Sequence, residues 1–423
     1  MRQLYTLLIY LLSPLLVLRL WLRGRKNPGY RERIGERFGY IAQQIPQNCI
    51  WIHAVSVGES QATQPLVRWL KEQFPDTAIV ISTTTPTGAD RVREMYQQEV
   101  AHLYFPFDLP GAVNRLLDRL QPQILIVMET EIWPNLLHIC KRRALPVVLA
   151  NARLSAESAK GYQRVAGMTR EALQSFSAIA VQNPADAQRF IDLGAVKQDV
   201  HLCGSIKFDV RIPASVREQG ALLKAACGAE RPVWIAASTH AGEEEIVLRV
   251  HQQLMQRYPD ALLILTPRHP ERFSSVAAMI EKSGLSTSRR SEIPVCKPGI
   301  SVYLGDTMGE LTVFYAASDI AFVGGSLAST GGHNILEPAS LGLPVIVGPH
   351  MTNFLTITAL LQEAGALQQI EDEAALLLML EQIFDDADMR HAMGQSGIDV
   401  IQANLGALDC VSEVISDLMR GKA

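Results

Sequence analysis

Short apolar runs alternate with amphipathic segments along most of the chain. The strand-like runs of the first half are IWIHAV, TAIVIST, HLYFPF, ILIVMET, PVVLANA and AIAVQN. Segments between them, such as QATQPLVRWLKEQF and GAVNRLLDRLQ, have apolar residues at three- and four-residue spacing, which predicts helices. Near-continuous apolar strands separated by helices are typical of a parallel sheet that is covered on both faces.

The same alternation of apolar runs and amphipathic segments begins again near Trp234, after a polar helical passage. Its strand-like runs are VWIAAST, ALLILTP, VYLGD, IAFVGGS and PVIVGP. The stretch WIAASTHAGEEE also repeats the order of WIHAVSVGES: a strand, a Ser/Thr turn and a Gly-Glu pair before a helix. We therefore predict an α/β protein with two doubly wound, Rossmann-like domains that face each other across a cleft. The predicted divisions are an N-terminal segment (1–26), a first domain (27–210), a linker (211–230), a second domain (231–405) and a helical tail (406–423).

The first 22 residues differ from the rest of the chain. The stretch QLYTLLIYLLSPLLVL carries no charge and is followed by several basic residues, without a small-residue cleavage site. We expect an uncleaved membrane anchor, either spanning the bilayer or embedded in one leaflet; a buried helix is the alternative. The basic residues after the apolar stretch outnumber Arg2, so the positive-inside rule puts the globular body in the cytoplasm.

Composition and charge narrow the classes of ligand. The 423 residues are too many for one ordinary core and suit two domains of about 200 residues each. A formal net charge of −4 gives no basic field that would recruit nucleic acid. Six cysteines are scattered without the spacing of a zinc site. We expect buried thiols in a reducing compartment, and neither a disulfide framework nor a structural metal site.

The turn Ser56-Val57-Gly58-Glu59 is the first candidate site. Gly58 would allow a tight chain reversal, and Glu59 falls near a helix N-terminus, where the macrodipole favours an ionised carboxylate. A carboxylate at the lip of a cleft is a candidate general base. The alternative is a charge that only stabilises the helix.

A second acidic pair, Glu129 and Glu131, follows the apolar strand ILIVM directly. At least one of the two should project into the cleft, because ligands of doubly wound folds bind at the carboxyl ends of strands. In the segment GSIKFD, Lys207 is a candidate contact for an anionic group.

The second half supplies candidate phosphate ligands. Arg268 follows the strand ALLIL between two prolines, and Arg offers a fork of donors that does not titrate. The pair Gly324-Gly325 ends a later strand, and a helix opens at Ile335-Leu336-Glu337. Glycines let a backbone approach a phosphate, a helix N-terminus supplies donors, and Glu337 can accept from both hydroxyls of a ribose.

Two further patterns narrow the type of nucleotide. The block containing Gly324 is neither a P-loop nor a dinucleotide fingerprint. The turn Met308-Gly309-Glu310 could touch a base, and no Asp-x-Asp sits at a strand end to bridge a metal to a diphosphate.

Taken together, these blocks resemble the 3-deoxy-D-manno-octulosonic acid (Kdo) transferases of Gram-negative bacteria, which are GT-B glycosyltransferases of lipid A biosynthesis. The resemblance runs from the N-terminus to about Leu405. It rests on GRKNPGYRERIGERFG, HAVSVGES, TPTGADRV, METEIWPN, NARLSAESAKGY, GSIKFD, PRHPERF, GDTMGEL and FVGGSLASTGGHNILEPA.

The resemblance implies roles for named residues. It makes Glu59 the proton acceptor and Glu129 a second functional carboxylate, in a first domain that binds the acceptor. It implies that the second domain holds CMP without a cofactor or a metal, through Pro267, Arg268, Met308, Gly309, Glu310, Asn334, Ile335, Leu336 and Glu337. We add Gly324 and Gly325 to this set, and Ser56, Gly58 and Lys207 as contacts to donor or acceptor.

The implied reaction transfers Kdo from CMP-Kdo to a hydroxyl of the distal glucosamine of a tetraacylated lipid A precursor. It inverts the anomeric configuration and releases CMP at the cytoplasmic face of the inner membrane. The number of Kdo units added stays open. Two alternatives remain: a membrane-associated GT-B transferase that uses a UDP-sugar, and a catalytically silent scaffold, against which the presence of both Glu59 and Glu129 argues.

Overall fold

The computed structural model describes residues 1–210, 212–293 and 299–421 of the chain. These residues form two compact units. The first combines Met1–Asp209 with Asn404–Ala423, and the second is Val210–Ala403. The assignment of acceptor and donor roles to the sequence-based domains stays a proposal.

The first unit contains a seven-stranded sheet with the order β3-β2-β1-β4-β5-β6-β7, in which every neighbouring pair is parallel. Six of its strands coincide with the six apolar runs of the first half, which confirms the predicted sheet, and β7 is an additional short strand at its edge. They are β1 Ile50–His53, β2 Ile79–Thr83, β3 Ala101–Tyr104, β4 Ile124–Met128, β5 Val147–Ala152, β6 Ala178–Val181 and β7 Val200–Leu202.

Helices cover both faces of this sheet. They are α1 Arg2–Arg23, α2 Val57–Gln73, α3 Pro86–Tyr96, α4 Pro110–Leu120, α5 Pro134–Arg142, α6 Ala156–Gln163, α7 Ala166–Leu173, α8 Pro184–Asp192 and the C-terminal α17 Ala407–Met419. Alternate side chains of β1 enter opposite cores: Trp51 packs on one face, and Ile50 and Ile52 pack on the other. Val411 of α17 belongs to the second of these cores. The chain therefore returns to the first unit at its end.

The second unit repeats this architecture. Its seven-stranded parallel sheet has the order β10-β11-β9-β8-β12-β13-β14. The strands are β8 Val233–Thr239, β9 Leu262–Pro267, β10 Thr287–Arg289, β11 Val302–Leu304, β12 Ile320–Val323, β13 Val345–Val347 and β14 Leu367–Gln369. The five predicted runs are confirmed, and the sequence analysis missed β10 and β14, which are three residues long at the two sheet edges.

The helices of the second unit include the polar passage that precedes β8. They are α9 Ala214–Gly228, α10 Glu243–Arg257, α11 Phe273–Lys282, α12 Leu311–Ala316, α13 Leu336–Ser340, α14 Leu355–Glu363, α15 Glu373–Asp385 and α16 Ala387–Ala403. Helix α9 packs on α12 through Gly220, where a Cβ would collide with Ala316. The predicted doubly wound α/β fold is thus present twice.

One helix of the described chain, α1, is long and apolar enough to cross a membrane by length and composition. It has 22 residues and a mean hydropathy of 1.8, and none of its residues is buried. The alternative of a buried core helix is therefore wrong.

The cysteine prediction needs one correction. Cys49, Cys140 and Cys227 are buried and lie outside any disulfide, as expected, but Cys203 and Cys410 form a disulfide. The two residues are 207 positions apart, so their spacing carried no signal, and the fold brings their Cα atoms to 5.4 Å. Cys296 lies outside the described residues.

Candidate active site

Glu59 is held at the N-terminus of α2 by a capping arrangement. Ser56 is the N-cap residue, and its hydroxyl accepts from the backbone N–H of Glu59 at 3.4 Å. In return, the Glu59 carboxylate accepts from the Ser56 hydroxyl at 3.0 Å and from the backbone N–H of Val55 at 2.8 Å. The Ser-x-x-Glu spacing is that of a capping box, which fixes the carboxylate against the end of β1.

The role predicted for Gly58 as a chain-reversal residue is wrong. Helix α2 begins at Val57, so Gly58 lies inside its first turn with an ordinary helical backbone. A Cβ built on Gly58 would meet nothing within 4 Å in the protein. The packing of the protein therefore does not require a glycine at this position. Its contact with donor or acceptor stays a prediction.

Burial raises the pKa of Glu59 to about 7, and the negative charge of Glu129 acts in the same direction. The hydrogen bonds from Val55 and Ser56 and the charge of Lys207 oppose this rise without cancelling it. The sequence analysis expected the helix N-terminus to favour the ionised form, but loss of solvent outweighs that effect. A carboxylate with a pKa near neutrality is suited to accept a proton and release it again.

Glu129 occupies an unusual backbone conformation directly after β4. Its φ is +56°, in the left-handed region that residues with a Cβ rarely adopt. The carboxylate forms an ion pair with Lys207, whose Nζ lies 2.9 Å from Glu129 Oε1. Backbone strain of this kind costs about 1–3 kcal/mol and persists where surrounding structure imposes it, often at functional sites.

Lys207 lies on a short turn that the rest of the unit holds in place. The backbone N–H of Ile206 donates to Asn151 Oδ1 at 3.2 Å. On the other side, the Asp209 carboxylate accepts from the N–H groups of Gly406, at 2.9 Å, and Leu408, at 2.6 Å, at the start of α17. The C-terminal helix thus clamps the turn that presents the lysine, close to the Cys203 disulfide.

Glu131 is a third carboxylate of this cluster. Burial raises its pKa to about 7, and the charges of Glu59 and Glu129 add to the rise. The sequence analysis noted Glu131 but gave a role only to Glu129. Two glutamates separated by one residue after a strand were the available signal, and only the structure shows that both lie near Glu59.

In the second unit, the predicted phosphate ligand Arg268 is partly buried directly after β9, and its backbone N–H donates to the carbonyl of Thr239 at 3.0 Å. Pro267 is the last residue of β9 and is buried. A cluster of imidazoles lies beside Arg268: His240 Nε2 is 2.7 Å from His333 Nε2, and the ring of His269 contacts His240 edge-on. The sequence analysis assigned no role to these histidines.

The glycine pair Gly324-Gly325 serves a structural purpose that the sequence did not reveal. The buried Glu243 carboxylate accepts from the backbone N–H groups of Gly325 (2.7 Å), Ser326 (3.1 Å), Leu327 (2.9 Å), Ala328 (3.1 Å) and His240 (2.9 Å). A Cβ on Gly324 would lie 2.9 Å from Glu243 Oε2. These donors are therefore bound to a protein carboxylate. A role for either glycine in binding CMP stays a prediction.

The turn Met308-Gly309-Glu310 is exposed at its tip. The Met308 side chain is 64% exposed, and Gly309 has a φ of +82°. The Glu310 carboxylate is bound by the Arg290 guanidinium, with an N–O distance of 2.6 Å, and this hydrogen bond lowers the pKa of Glu310. Glu310 thus anchors the turn, while most of the Met308 side chain is exposed. Contact of this turn with a base stays a prediction.

The segment Asn334–Glu337 opens α13, which begins at Leu336 and has five residues. Asn334 Nδ2 donates to Glu337 Oε1 at 3.1 Å, and Asn334 Oδ1 accepts from the N–H of Leu336, also at 3.1 Å. Ile335 is buried. Because α13 has barely more than one turn, its macrodipole is small, and side-chain groups must carry most of the predicted binding. Burial raises the pKa of Glu337.

Within the residues that the structure describes, no group of three or more His, Cys, Asp or Glu side chains is arranged to hold a metal ion. The predicted site residues instead collect at the carboxyl ends of the strands in each of the two sheets. Two doubly wound parallel sheets with polar groups at these ends are the architecture of GT-B glycosyltransferases.

Comparison with known proteins narrows this class. Residues 32–210 match the family model described as 3-deoxy-D-manno-octulosonic-acid transferase (kdotransferase). The chain is 40% identical over 417 residues to the 3-deoxy-D-manno-octulosonic acid transferase of Haemophilus influenzae, covering 98% of both chains. It is 35% identical over 430 residues to the enzyme of the same name from Bordetella pertussis, covering 98% of this chain and 99% of that one.

Among solved structures, a UDP-GlcNAc 2-epimerase from Neisseria meningitidis bound to UDP-GlcNAc matches 87% of this chain and 99% of its own. The TM-score is 0.51 and the identity 13%, so this likeness shows the fold alone. The relatives from Haemophilus influenzae and Bordetella pertussis show that the chain belongs to the 3-deoxy-D-manno-octulosonic acid transferase family. It is a Kdo transferase, a glycosyltransferase of lipopolysaccharide biosynthesis.

Proposed function

We propose that the chain transfers Kdo from CMP-Kdo to a hydroxyl of the distal glucosamine of a tetraacylated lipid A precursor, with inversion and release of CMP. The observation that carries this proposal is the carboxylate cluster of the first unit. There Glu59 has a pKa raised by burial to about 7, beside the Glu129–Lys207 ion pair. Such a group can take a proton from a sugar hydroxyl and later release it to water.

The chemical step follows from this assignment. Glu59 in its ionised form removes the proton of the acceptor hydroxyl while that oxygen attacks the anomeric carbon of Kdo. The new C–O bond forms on the face opposite the bond to CMP, which breaks with its electron pair on the phosphate oxygen. The anomeric configuration is therefore inverted, and CMP leaves with the charge that it gains.

We assign the donor to the second unit. Arg268, partly buried after β9, offers a guanidinium fork to the single phosphate of CMP-Kdo. Stabilising the charge that develops on a leaving phosphate lowers the barrier to transfer. Glu337 is placed one helical turn from Asn334 and is assigned to the ribose hydroxyls, and Met308 to the base.

We also propose that the protein works on the cytoplasmic face of the inner membrane. Helix α1 exposes leucines along its length, and Arg19, Arg23, Arg25 and Lys26 lie at its C-terminal end. Basic residues next to an apolar helix are attracted to anionic lipids, worth about 1 kcal/mol each. The acceptor is itself a phosphorylated amphiphile, so an enzyme held at the bilayer meets it there.

One assay tests the reaction. The purified protein is incubated with CMP-Kdo and a tetraacylated lipid A precursor in detergent, with EDTA present because we expect no metal requirement. Mass spectrometry of the lipid should show a gain of one or more Kdo units, and the number gives the processivity. No gain from CMP-Kdo, or a gain from a UDP-sugar instead, would overturn the proposal. Binding of CMP-Kdo without transfer would indicate the silent scaffold.

A further inference from the structure

Helix α1 has one face that is less exposed than the other along its whole length. Its partly covered residues recur at helical spacing, and buried Gly24 follows the helix in the same series. On the opposite face the leucines are exposed to between 46% and 66%. Residues three and four apart share one side of a helix. The partly covered positions are Arg2, Tyr5, Thr6, Ile9, Ser13, Leu16, Val17 and Leu20.

The N-terminal end of α1 is bonded to the globular part of the unit. The Tyr5 hydroxyl donates to Asp108 Oδ2 at 3.0 Å. The Thr6 hydroxyl donates to Asn135 Oδ1 at 2.8 Å, and Arg2 Nη1 donates to the same oxygen at 3.3 Å. Asp108 is 2% exposed, so this end of the helix closes over a buried carboxylate.

The C-terminal end is held to the same unit. Arg31 Nε donates to the Trp21 carbonyl at 3.1 Å, and the Arg31 guanidinium lies 4.6 Å from the centre of the Trp21 ring. The Arg31 side chain also packs against Gly24, where no Cβ would fit. Arg33, two residues further on, donates to the carbonyl of His102 in β3 at 2.8 Å.

These contacts conflict with a helix that crosses the membrane. The 22 residues of α1 are about 33 Å long, comparable to the roughly 30 Å hydrocarbon core of a bilayer. A spanning helix would carry its N-terminus to the far side, away from Asp108 and Asn135. Here both ends are bonded to one globular unit, which lies on one side of the membrane.

We propose that α1 does not span the bilayer but lies within one leaflet, parallel to the surface, with both of its ends on the side of the globular unit. The partner of its exposed face is the headgroup and acyl boundary of an anionic bilayer. Residues 1–31 contain six basic and no acidic side chains, which suits phosphate headgroups, and the exposed leucines suit the acyl chains. This proposal rests on the membrane association proposed above.

The position of the docked helix relative to the carboxylate cluster indicates how an in-plane α1 would help the enzyme to reach its acceptor. Asn135 is the second residue of α5, four residues after Glu131, and Asp108 follows β3. Both lie at the carboxyl-end edge of the sheet, which also bears Glu59 and Glu129. An in-plane α1 therefore holds this edge at the leaflet surface, where the sugar of an amphiphilic acceptor reaches the carboxylates while its acyl chains stay in lipid.

The first test is topological. A short protease-cleavable tag is placed ahead of Met1, and a control protein carries the same tag after the last residue. In inner-membrane vesicles of both orientations, we expect both tags to be cleaved only where the cytoplasmic face is accessible. Cleavage of the N-terminal tag only from the opposite face, its protection until detergent is added, or absence of the protein from the membrane fraction would overturn the proposal. Kdo transfer by the same tagged protein is also measured in detergent. This measurement distinguishes a failure of the proposed function from a failure of the proposed topology.

The second test removes the docking contacts without adding charge. In the double variant Tyr5→Phe/Thr6→Val, two hydrogen bonds to the globular part of the unit are lost, which should cut the docked population roughly tenfold or more relative to the undocked one. We expect slower transfer to an acceptor embedded in vesicles of phosphatidylethanolamine and phosphatidylglycerol, with unchanged transfer to the acceptor in detergent micelles.

The matched control is Ser13→Ala, which deletes a hydroxyl that donates to the Tyr10 carbonyl within α1 itself. This variant should match the unaltered protein in vesicles and in micelles. An equal loss in vesicles and micelles for the double variant would show a merely structural role for the contacts. No loss in vesicles would show that docking of α1 does not govern access to the acceptor. Either result would overturn the link between docking and acceptor access.

Discussion

Lys207 Nζ lies 2.9 Å from Glu129 Oε1, and this ion pair stands beside Glu59. The two partners act on the Glu59 pKa in opposite directions. Burial is the largest cause of its rise to about 7; the Glu129 carboxylate adds to the rise, and the Lys207 ammonium opposes it. The pair therefore tunes the proposed base, and each partner can be removed by itself.

Substitution of either partner should move the pH dependence of transfer in a defined direction. Lys207→Met removes the positive charge and should shift the acidic limb of kcat/KM to higher pH, whereas Glu129→Gln removes a negative charge and should shift it to lower pH. The pH profile of kcat/KM reports the ionisations of the free enzyme and is measured for each variant. Lys207→Arg keeps the charge and should leave the limb in place. Shifts of the same sign in both variants would contradict the electrostatic coupling.

Replacing the proposed base should strongly slow transfer while leaving donor binding intact. General base catalysis contributes about 10²–10⁴-fold, so Glu59→Gln should lower kcat by a factor in that range. CMP binding, measured by calorimetry, should be unchanged because the assigned CMP ligands lie in the second unit. Glu72→Gln, on the exposed side of α2, is the control. Activity of Glu59→Gln close to that of the unaltered protein would remove Glu59 from the mechanism.

The same substitution should change how stability depends on pH. The folded pKa of Glu59, about 7, is above the value of about 4.3 for an unfolded chain, so the folded state binds the proton more tightly. This contribution is fully present below about pH 4 and is lost as the pH rises through 7. Glutamine does not titrate. As the pH rises from about 4 to 7, the free energy of unfolding of Glu59→Gln should therefore increase relative to that of the unaltered protein. Urea denaturation at a series of pH values measures the difference, and a constant difference would show that the folded pKa is not raised.

Much of the fold follows from local sequence. The strand-forming runs are apolar enough to be recognised, because a strand buried on both faces needs side chains such as those of Ile50–His53 and Ile124–Met128. The position of Glu59 near a helix N-terminus also followed from the sequence, because an apolar strand-like run ends just before it and a helical pattern follows. The edge strand Thr287–Arg289 could not be recognised, since three partly polar residues carry no periodicity.

The remainder depends on contacts between distant residues. The state of Glu59 is set by burial, which the sequence around the helix N-terminus does not encode. Glycines at 324 and 325 suggested a phosphate loop, but whether their backbone groups face a ligand or Glu243 is decided by a residue about 80 positions earlier. The pairing of Cys203 with Cys410 likewise depends on the return of α17 to the first unit.

The Cys203–Cys410 disulfide should stabilise the folded chain. Cys410→Ser should lower the free energy of unfolding by about 2–4 kcal/mol, the usual contribution of a disulfide. Because α17 clamps the turn that carries Lys207, the variant should also expose that turn to faster amide hydrogen exchange. Chemical denaturation and exchange at residues 205–209 measure the two effects. The control Cys227→Ser alters a buried cysteine of the second unit that is not part of the disulfide, and it should leave exchange at this turn unchanged. If Cys410→Ser and the unaltered, oxidised protein have the same free energy of unfolding, the disulfide does not stabilise the fold.

In the second unit, we predict that Glu243 governs the order of the loop before His333. Its carboxylate accepts from five backbone N–H groups, four of them from residues 325–328, and so satisfies donors that are buried with it. Glu243→Gln removes the charge and replaces one acceptor oxygen with a donor, which should cost about 2–4 kcal/mol of stability. The loop should then show faster amide exchange. CMP should bind more weakly, because His333 lies against Gly325 and His240, which lies near Arg268, also donates to Glu243. Glu271→Gln, at an exposed side chain after β9, is the control for loss of one negative charge. Undiminished stability of Glu243→Gln would mean that water or a ligand takes over these donors, and the glycine loop would return as a candidate phosphate site.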